Sequence, residues 1–261
     1  MSAFISIKPG GLNISNIAGV ISELNYIIDW SMSRKSRIGY FAVVYKLMTE
    51  AVQTAIVKGV FQDAKRMELL DVIFAGRYIQ AWQAYTSKKP CTNAWCAAFD
   101  ASEKNDLIVL QHIILGINTH INLDLGIAAA ETAPGLSIHE MQQDFDKIND
   151  IISDLSEQVQ ESLCRIWYPL RMINKISRNR EEAVINFSIR SARRASWANA
   201  VAIALATGQH RTNYINMIDN GVVAIGKKII SPGFYTNLLL KPVRIMENKE
   251  VTRNILLLQK Q

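Results

Sequence analysis

The chain has 261 residues, of which 49% are hydrophobic and 20% charged, the balance of an ordinary globular protein and not of a disordered one. Its net charge of +6 comes without a long run of like charges, so it is only weak evidence for an anionic partner, and no nucleic-acid partner is expected. Three cysteines cannot build a disulfide framework in a chain of this length, and MSAFISIKPGGLN lacks the pattern of a secretory signal, so a cytoplasmic, reduced protein is expected.

The elements, in chain order, are helical almost throughout, because apolar residues recur at three and four positions and strict alternation is rare. A first helix is expected from about Ile14 to Met32 and a second from about Arg37 to Lys58, ended by Gly59. Asp63 has the chemistry of an N-cap for a third helix to about Tyr85, with Met67, Leu70, Phe74, Tyr78 and Ala81 as its apolar stripe. Residues 87–95, SKKPCTNAW, are expected as a turn because Pro90 bars helix continuation.

A central helix is expected from about Glu103 to Glu131, apolar nearly all round and broken by TAPGLS at 132–137. Residues 107–130 are long enough to span a bilayer, but their two His, two Asn and one Asp would be costly in hydrocarbon, which favours a buried core helix over a membrane span. Further helices are expected at about Ile138 to Trp167, Glu181 to Thr207 and 211–229, with a last amphipathic one closing the chain and SPGF and KPV as loops. The expected architecture is a single all-α domain over residues 1–261, a multi-helix bundle around the buried central helix.

The candidate chemistry lies in "LQHIILGINTHINLDLG", residues 110–126. His120 and Asp124 are four apart, so on a helix they share a face and can converge on one ion. Imidazole nitrogen with carboxylate oxygen suits zinc, iron or manganese. His112 lies two turns back and round the helix, and joins them only if Gly116 lets the helix bend; otherwise it serves as an additional base. Antiparallel pairing across TAPGLS brings the region of Asp144 towards Asp124, so a metal set of His120, Asp124 and Asp144, with Asn149 alongside, is the expectation. Asp146 and Asp150 should point away.

Asp71 lies on the apolar stripe of its helix and needs a partner or a shifted pKa, with Arg66 or Arg77 as the cations to supply it. Asn118 and Asn122, four apart, would orient substrate. A purely structural polar core that fixes helix register is the alternative, and a metal-free His–Asp acid/base pair a third reading. Cys91 and Cys96, with four residues between them, read as buried thiols. The arginines at 178, 180, 190, 193 and 194 read as a solvated face, with Arg190 and Asn186 able to turn towards Asp71. No Walker-type loop, GxSxG or GxGxxG occurs, which argues against nucleotide hydrolysis, α/β-hydrolase chemistry and dinucleotide redox.

Four blocks, RMELLDVIFAGRY (66–78), LQHIILGINTHINLDLGIAAAE (110–131), DFDKIND (144–150) and AVINFSIRSAR (183–193), together resemble an uncharacterised bacterial family of all-helical proteins, a domain of unknown function. The resemblance covers roughly residues 40–200. It implies a shared fold and a shared polar constellation of Arg66, Asp71, Arg77, His112, Asn118, His120, Asp124, Asp144 and Asn149. It implies no reaction. The segment beyond about residue 205 lies outside it as a C-terminal helical extension. The functional expectation is a small-molecule enzyme with a buried His/Asp site, a metal-dependent hydrolase first, with a scaffold or ligand-binding protein and a metal-free cyclase or isomerase as alternatives.

Overall fold

The computed structural model describes residues 14–152, Ile166 and residues 189–260, and among them every regular element is helical. Helix α1 (Ile17–Arg34) is started by Asn16, whose side chain accepts from the Gly19 N–H, and stopped by Lys35 in the left-handed region. Helix α2 (Ile38–Val57) follows, and Gly59 at φ +70° turns the chain after it. Helix α3 (Ala64–Thr86) is capped as expected by Asp63, which accepts from the Arg66 N–H.

The stretch expected as a turn instead contains α4 (Asn93–Ser102). Pro90 does bar a helix through it, but Thr92, two residues on, accepts from the Trp95 N–H and starts a new helix at once. The central helix therefore begins at Val109 and not near Glu103, which is the C-cap of α4. It runs as α5 (Val109–Thr119), a π-turn at His120–Asp124 and α6 (Leu125–Thr132). In the π-turn the Leu125 N–H reaches back five residues to the His120 carbonyl, so one extra residue is accommodated where the candidate site lies. Gly135, at φ +66°, opens the 3-10 segment Gly135–Met141, and α7 follows over 142–152. Helix α8 is described over 189–205, before α9 (Gly208–Ile230), α10 (Phe234–Met246) and α11 (Val251–Gln259). KPV, expected as a loop, lies inside α10 around Pro242, and the chain closes with two helices where one was expected. His210 sits in the first turn of α9, and both it and His139 are exposed.

The two largest clusters of buried apolar side chains dominate the core. One joins α1, α2, α3, α4 and α11 around Leu24, Phe41, Tyr78, Trp95 and Ile255. The other joins α3, α6 and α7 through Leu70, Leu125, Ala129, Phe145 and Ile148, the inward seam expected from the sequence. Between them the central helix is long and apolar enough to cross a membrane, yet 78% of its most apolar stretch is buried inside the fold. Gly116 is needed there for close approach and not for a bend, since a Cβ would sit 2.3 Å from Cγ of Phe41.

Three helices have their N-termini capped from far along the chain. Asp144 accepts from the Gln62 and Asp63 N–H groups before α3, Asp219 from Asn93 and Ala94 at the start of α4, and Glu247 from Val109 at the start of α5. Each buried carboxylate meets otherwise orphaned N–H groups at the positive end of a helix. Through Asp219 and Glu247 the C-terminal third of the chain is tied to the elements that carry the candidate site.

Candidate functional site

Asp124 is the hub. Only 1% exposed, it accepts from Arg77 Nε at 2.9 Å and Trp95 Nε1 at 2.7 Å, and contacts His120 Nδ1 at 3.2 Å. Helices α3 and α4 and the π-turn thus meet at one carboxylate. Burial pushes its pKa up, but Arg77, His120 and Trp95 more than offset that and hold it below the usual carboxylate range. An ionised Asp124 accepts a hydrogen bond from Nδ1–H, which fixes the His120 tautomer and leaves Nε2 as a bare acceptor. Nε2 is buried and has no hydrogen-bond partner. Burial pulls the His120 pKa below its ordinary value despite Asp124, so the ring is neutral at pH 7.

Aromatic rings wall the imidazole. Phe74 stacks on it with centroids 3.5 Å apart, Tyr45 stands on edge at 4.3 Å, and Phe41, Trp95 and Tyr78 complete the box at 5.7 to 6.2 Å. The Tyr45 and Tyr78 hydroxyls and Asp71 Oδ2 are likewise buried without partners. Burial, with Glu68 nearby, pushes Asp71 up to about 7. Neither arginine expected to pair with it does so: Arg77 goes to Asp124, and Arg66 goes to Asp63 and Glu140.

Asp71 has a measurable consequence. The unfolded chain ionises this group near its ordinary 3.8, whereas the folded protein holds the proton to about 7, so folding stability falls as pH rises from about 4 to 7. Asp71→Asn, which mimics the protonated acid, is expected to raise the urea midpoint at pH 8 and to leave it nearly unchanged at pH 4. Glu247, also pushed up to about 7 by burial, retains a slope of the same sign in that variant. Equal shifts at both pH values would rule out Asp71 as the cause.

The expected metal set is not assembled. Asp144 is occupied at the start of α3, with Lys147 also bonded to it, and is not joined to His120 or Asp124. Among the described residues no group of three or more His, Cys, Asp or Glu side chains could hold an ion. Both Asp124 oxygens are already engaged, Oδ1 by Arg77 and Oδ2 by Trp95 and His120. Among the described residues, His120 and Asp124 have no third ligand with which to hold the zinc, iron or manganese ion the spacing suggested.

The remaining expected residues have other duties. His112 is buried, packs on Tyr40 and is pushed down to about 3 by burial and Arg37, so it stays neutral. It lines a cavity of about 20 Å³ with Arg37, Phe41, Tyr78 and Trp95, enough for one water, which His120 and Asp124 do not line. Asn118 donates to the Val222 carbonyl and Asn122 to Asn118, which fastens the central helix to α9. Asn149 accepts from Arg193 Nε. Arg193 itself is buried over the Phe145 ring, not on a solvated face, while Arg190 meets Asp150 at the surface and is not turned to Asp71. Asp146 and Asp150 are exposed, as expected. Arg178, Arg180, Asn186 and Cys164 lie outside the described residues.

Two features escaped the sequence reading. Trp95 was placed in a turn, so its indole could not be aimed at Asp124. Cys91 and Cys96 form a disulfide, not a pair of buried thiols, because the turn into α4 brings their Cα atoms to 6.0 Å. A larger open groove of about 580 Å³, lined by Tyr26, Trp30, Gln80, Trp82 and Lys89, lies apart from the His120 cluster.

No curated protein and no solved structure matches the chain. A family model matches residues 17–232, well past the 40–200 of the sequence resemblance and including α9. With its all-helical fold and its match over most of its length, the chain belongs to DUF5995, a family of unknown function.

Proposed function

We propose that the protein is a small-molecule enzyme in which His120, oriented by Asp124, moves a proton without a metal ion. The single observation that carries this is the asymmetry of the His120 ring. Nδ1 is held by a buried carboxylate while Nε2 is left bare, the arrangement a general base needs. The unpartnered hydroxyls of Tyr45 and Tyr78, whose rings pack near His120, and Asp71, whose charge acts on Tyr45, supply further donors. The aromatic walls suit an apolar substrate and exclude water, so cyclisation or isomerisation of a largely apolar molecule fits better than hydrolysis. Phe74 is only partly buried and lies flat on the imidazole, so one ring separates His120 from the surface.

The test is proton exchange in deuterated water on a panel of small apolar ketones and olefinic acids, with the wild type beside His120→Gln. Wild-type exchange that falls at least about 100-fold in the variant, at unchanged helicity, supports the reading. A second reading rests on the saturation of Asp124, which joins three helical elements as a register-fixing core would. If no substrate exchanges and His120→Gln only lowers Tm, that structural reading replaces the enzymatic one.

A further inference from the structure

Helix α10 leaves large apolar side chains exposed. Its half-buried positions are Asn237, Leu240, Val243 and Arg244, and just past its end the buried Glu247 reaches Val109. Its outward stripe begins at Phe234 (78% exposed) and continues through Leu238 (50%), Ile245 (81%) and Met246 (59%), positions that recur on one helical face. Pro242, on the same stripe, is exposed as well. A soluble helix would place its apolar face inward. Glu247, just past the end of α10, is anchored on the Val109 N–H and fixes where that end of the helix lies, with Ile245 and Met246 left exposed beside it.

Charge around the stripe is one-sided. Residues 227–249 hold five cations, Lys227, Lys228, Lys241, Arg244 and Lys249, against one carboxylate, Glu247, and that one is buried. Five less one gives +4 of the chain's +6 within this stretch. Four of the five are lysines, and all four are exposed. Helix α10 with its 13 residues is about 20 Å long, too short to cross a bilayer but long enough to lie in its surface. The helix also lies beyond the family match, which ends at residue 232.

We propose that α10 is a membrane-surface anchor that lays Leu238, Ile245 and Met246 into the interface of an anionic bilayer while the exposed lysines of the same stretch of chain meet lipid phosphates. An apolar stripe gains nothing from a nucleic-acid backbone, and the exposed lysines in and beside α10 along the chain match a charged fluid surface. The experiment is co-flotation of the full chain with vesicles of phosphatidylcholine containing phosphatidylglycerol, and with phosphatidylcholine vesicles alone. The wild type is expected to float only with the anionic vesicles, less so as salt rises. Leu238→Glu with Ile245→Glu should weaken this at least about tenfold without changing Tm, since both side chains are exposed. Lys227→Gln with Lys228→Gln should weaken it as well. Absence of flotation, equal binding to neutral vesicles, or unaltered binding by the glutamate variant overturns the proposal. A wild type that self-associates, is dispersed by Ile245→Glu and ignores vesicles overturns it too, and makes the stripe a protein–protein surface.

Discussion

Asp124→Ala is expected to lower folding stability by about 3–5 kcal/mol, the cost of leaving a buried ion-pair partner without its counter-charge. The side chain is 1% exposed, and its loss strands three donors at once: Arg77 Nε, Trp95 Nε1 and His120 Nδ1–H. Arg77 is 23% exposed and can recover some hydration, whereas the Trp95 and His120 nitrogens cannot. For a chain of this size that loss corresponds to a fall in Tm on the order of 10 °C. Urea unfolding followed by circular dichroism measures it. Asp124→Asn keeps the shape and an acceptor and should cost less. A change below about 1 kcal/mol for the alanine variant would mean that Asp124 does not hold α3, α4 and the central helix together. His120→Gln leaves Arg77 and Trp95 paired, so its stability loss should be much the smaller. That difference separates the chemistry of the ring from the architecture beneath it.

Gly116→Ala is the second large effect. Its Cβ would stand 2.3, 2.5 and 2.8 Å from Cγ, Cδ2 and Cβ of Phe41. These are the root and body of a buried ring and not a flexible tip, so Phe41 has to move as a whole. The same ring contacts Tyr45, Tyr78, Trp95 and His120, which carries the strain into the candidate site. Overpacking of this kind costs about 1–3 kcal/mol or more. Introducing Phe41→Leu beside Gly116→Ala should recover part of the loss, and a double-mutant cycle from urea midpoints reads the coupling. If the two effects simply add, the glycine is there for some reason other than the Phe41 ring.

Local patterns carried a good part of the fold. The boundaries of α1, α2 and α3 follow from apolar periodicity, the Asp63 cap and Gly59, all interactions within a few residues. Helix α4 was hidden because Pro90 and two cysteines mark a turn, and only Thr92 signals the restart. The site was legible as residue types and only partly as geometry. His120 and Asp124 were readable as a pair because four residues of helix bring them together whatever the rest of the chain does. Arg77 was visible as a cation needing a carboxylate, but the choice between Asp71 and Asp124 depends on how α3 is rotated against the central helix. The place of Asp144 depends likewise on the loop before α3, whose bare N–H groups draw it away from the metal set.

By itself, then, the sequence determined the all-helical class, the central buried helix and the two residues at the heart of the candidate site, because each rests on contacts one turn apart. The tertiary structure alone decided the partner of each buried charge. Asp219 and Glu247 cap helices more than a hundred residues away, Trp95 reaches Asp124 across 29, and Arg77 across 47. No periodicity encodes such pairings. They arise when packing strips water from polar groups and each must take the nearest donor or acceptor the folded chain supplies.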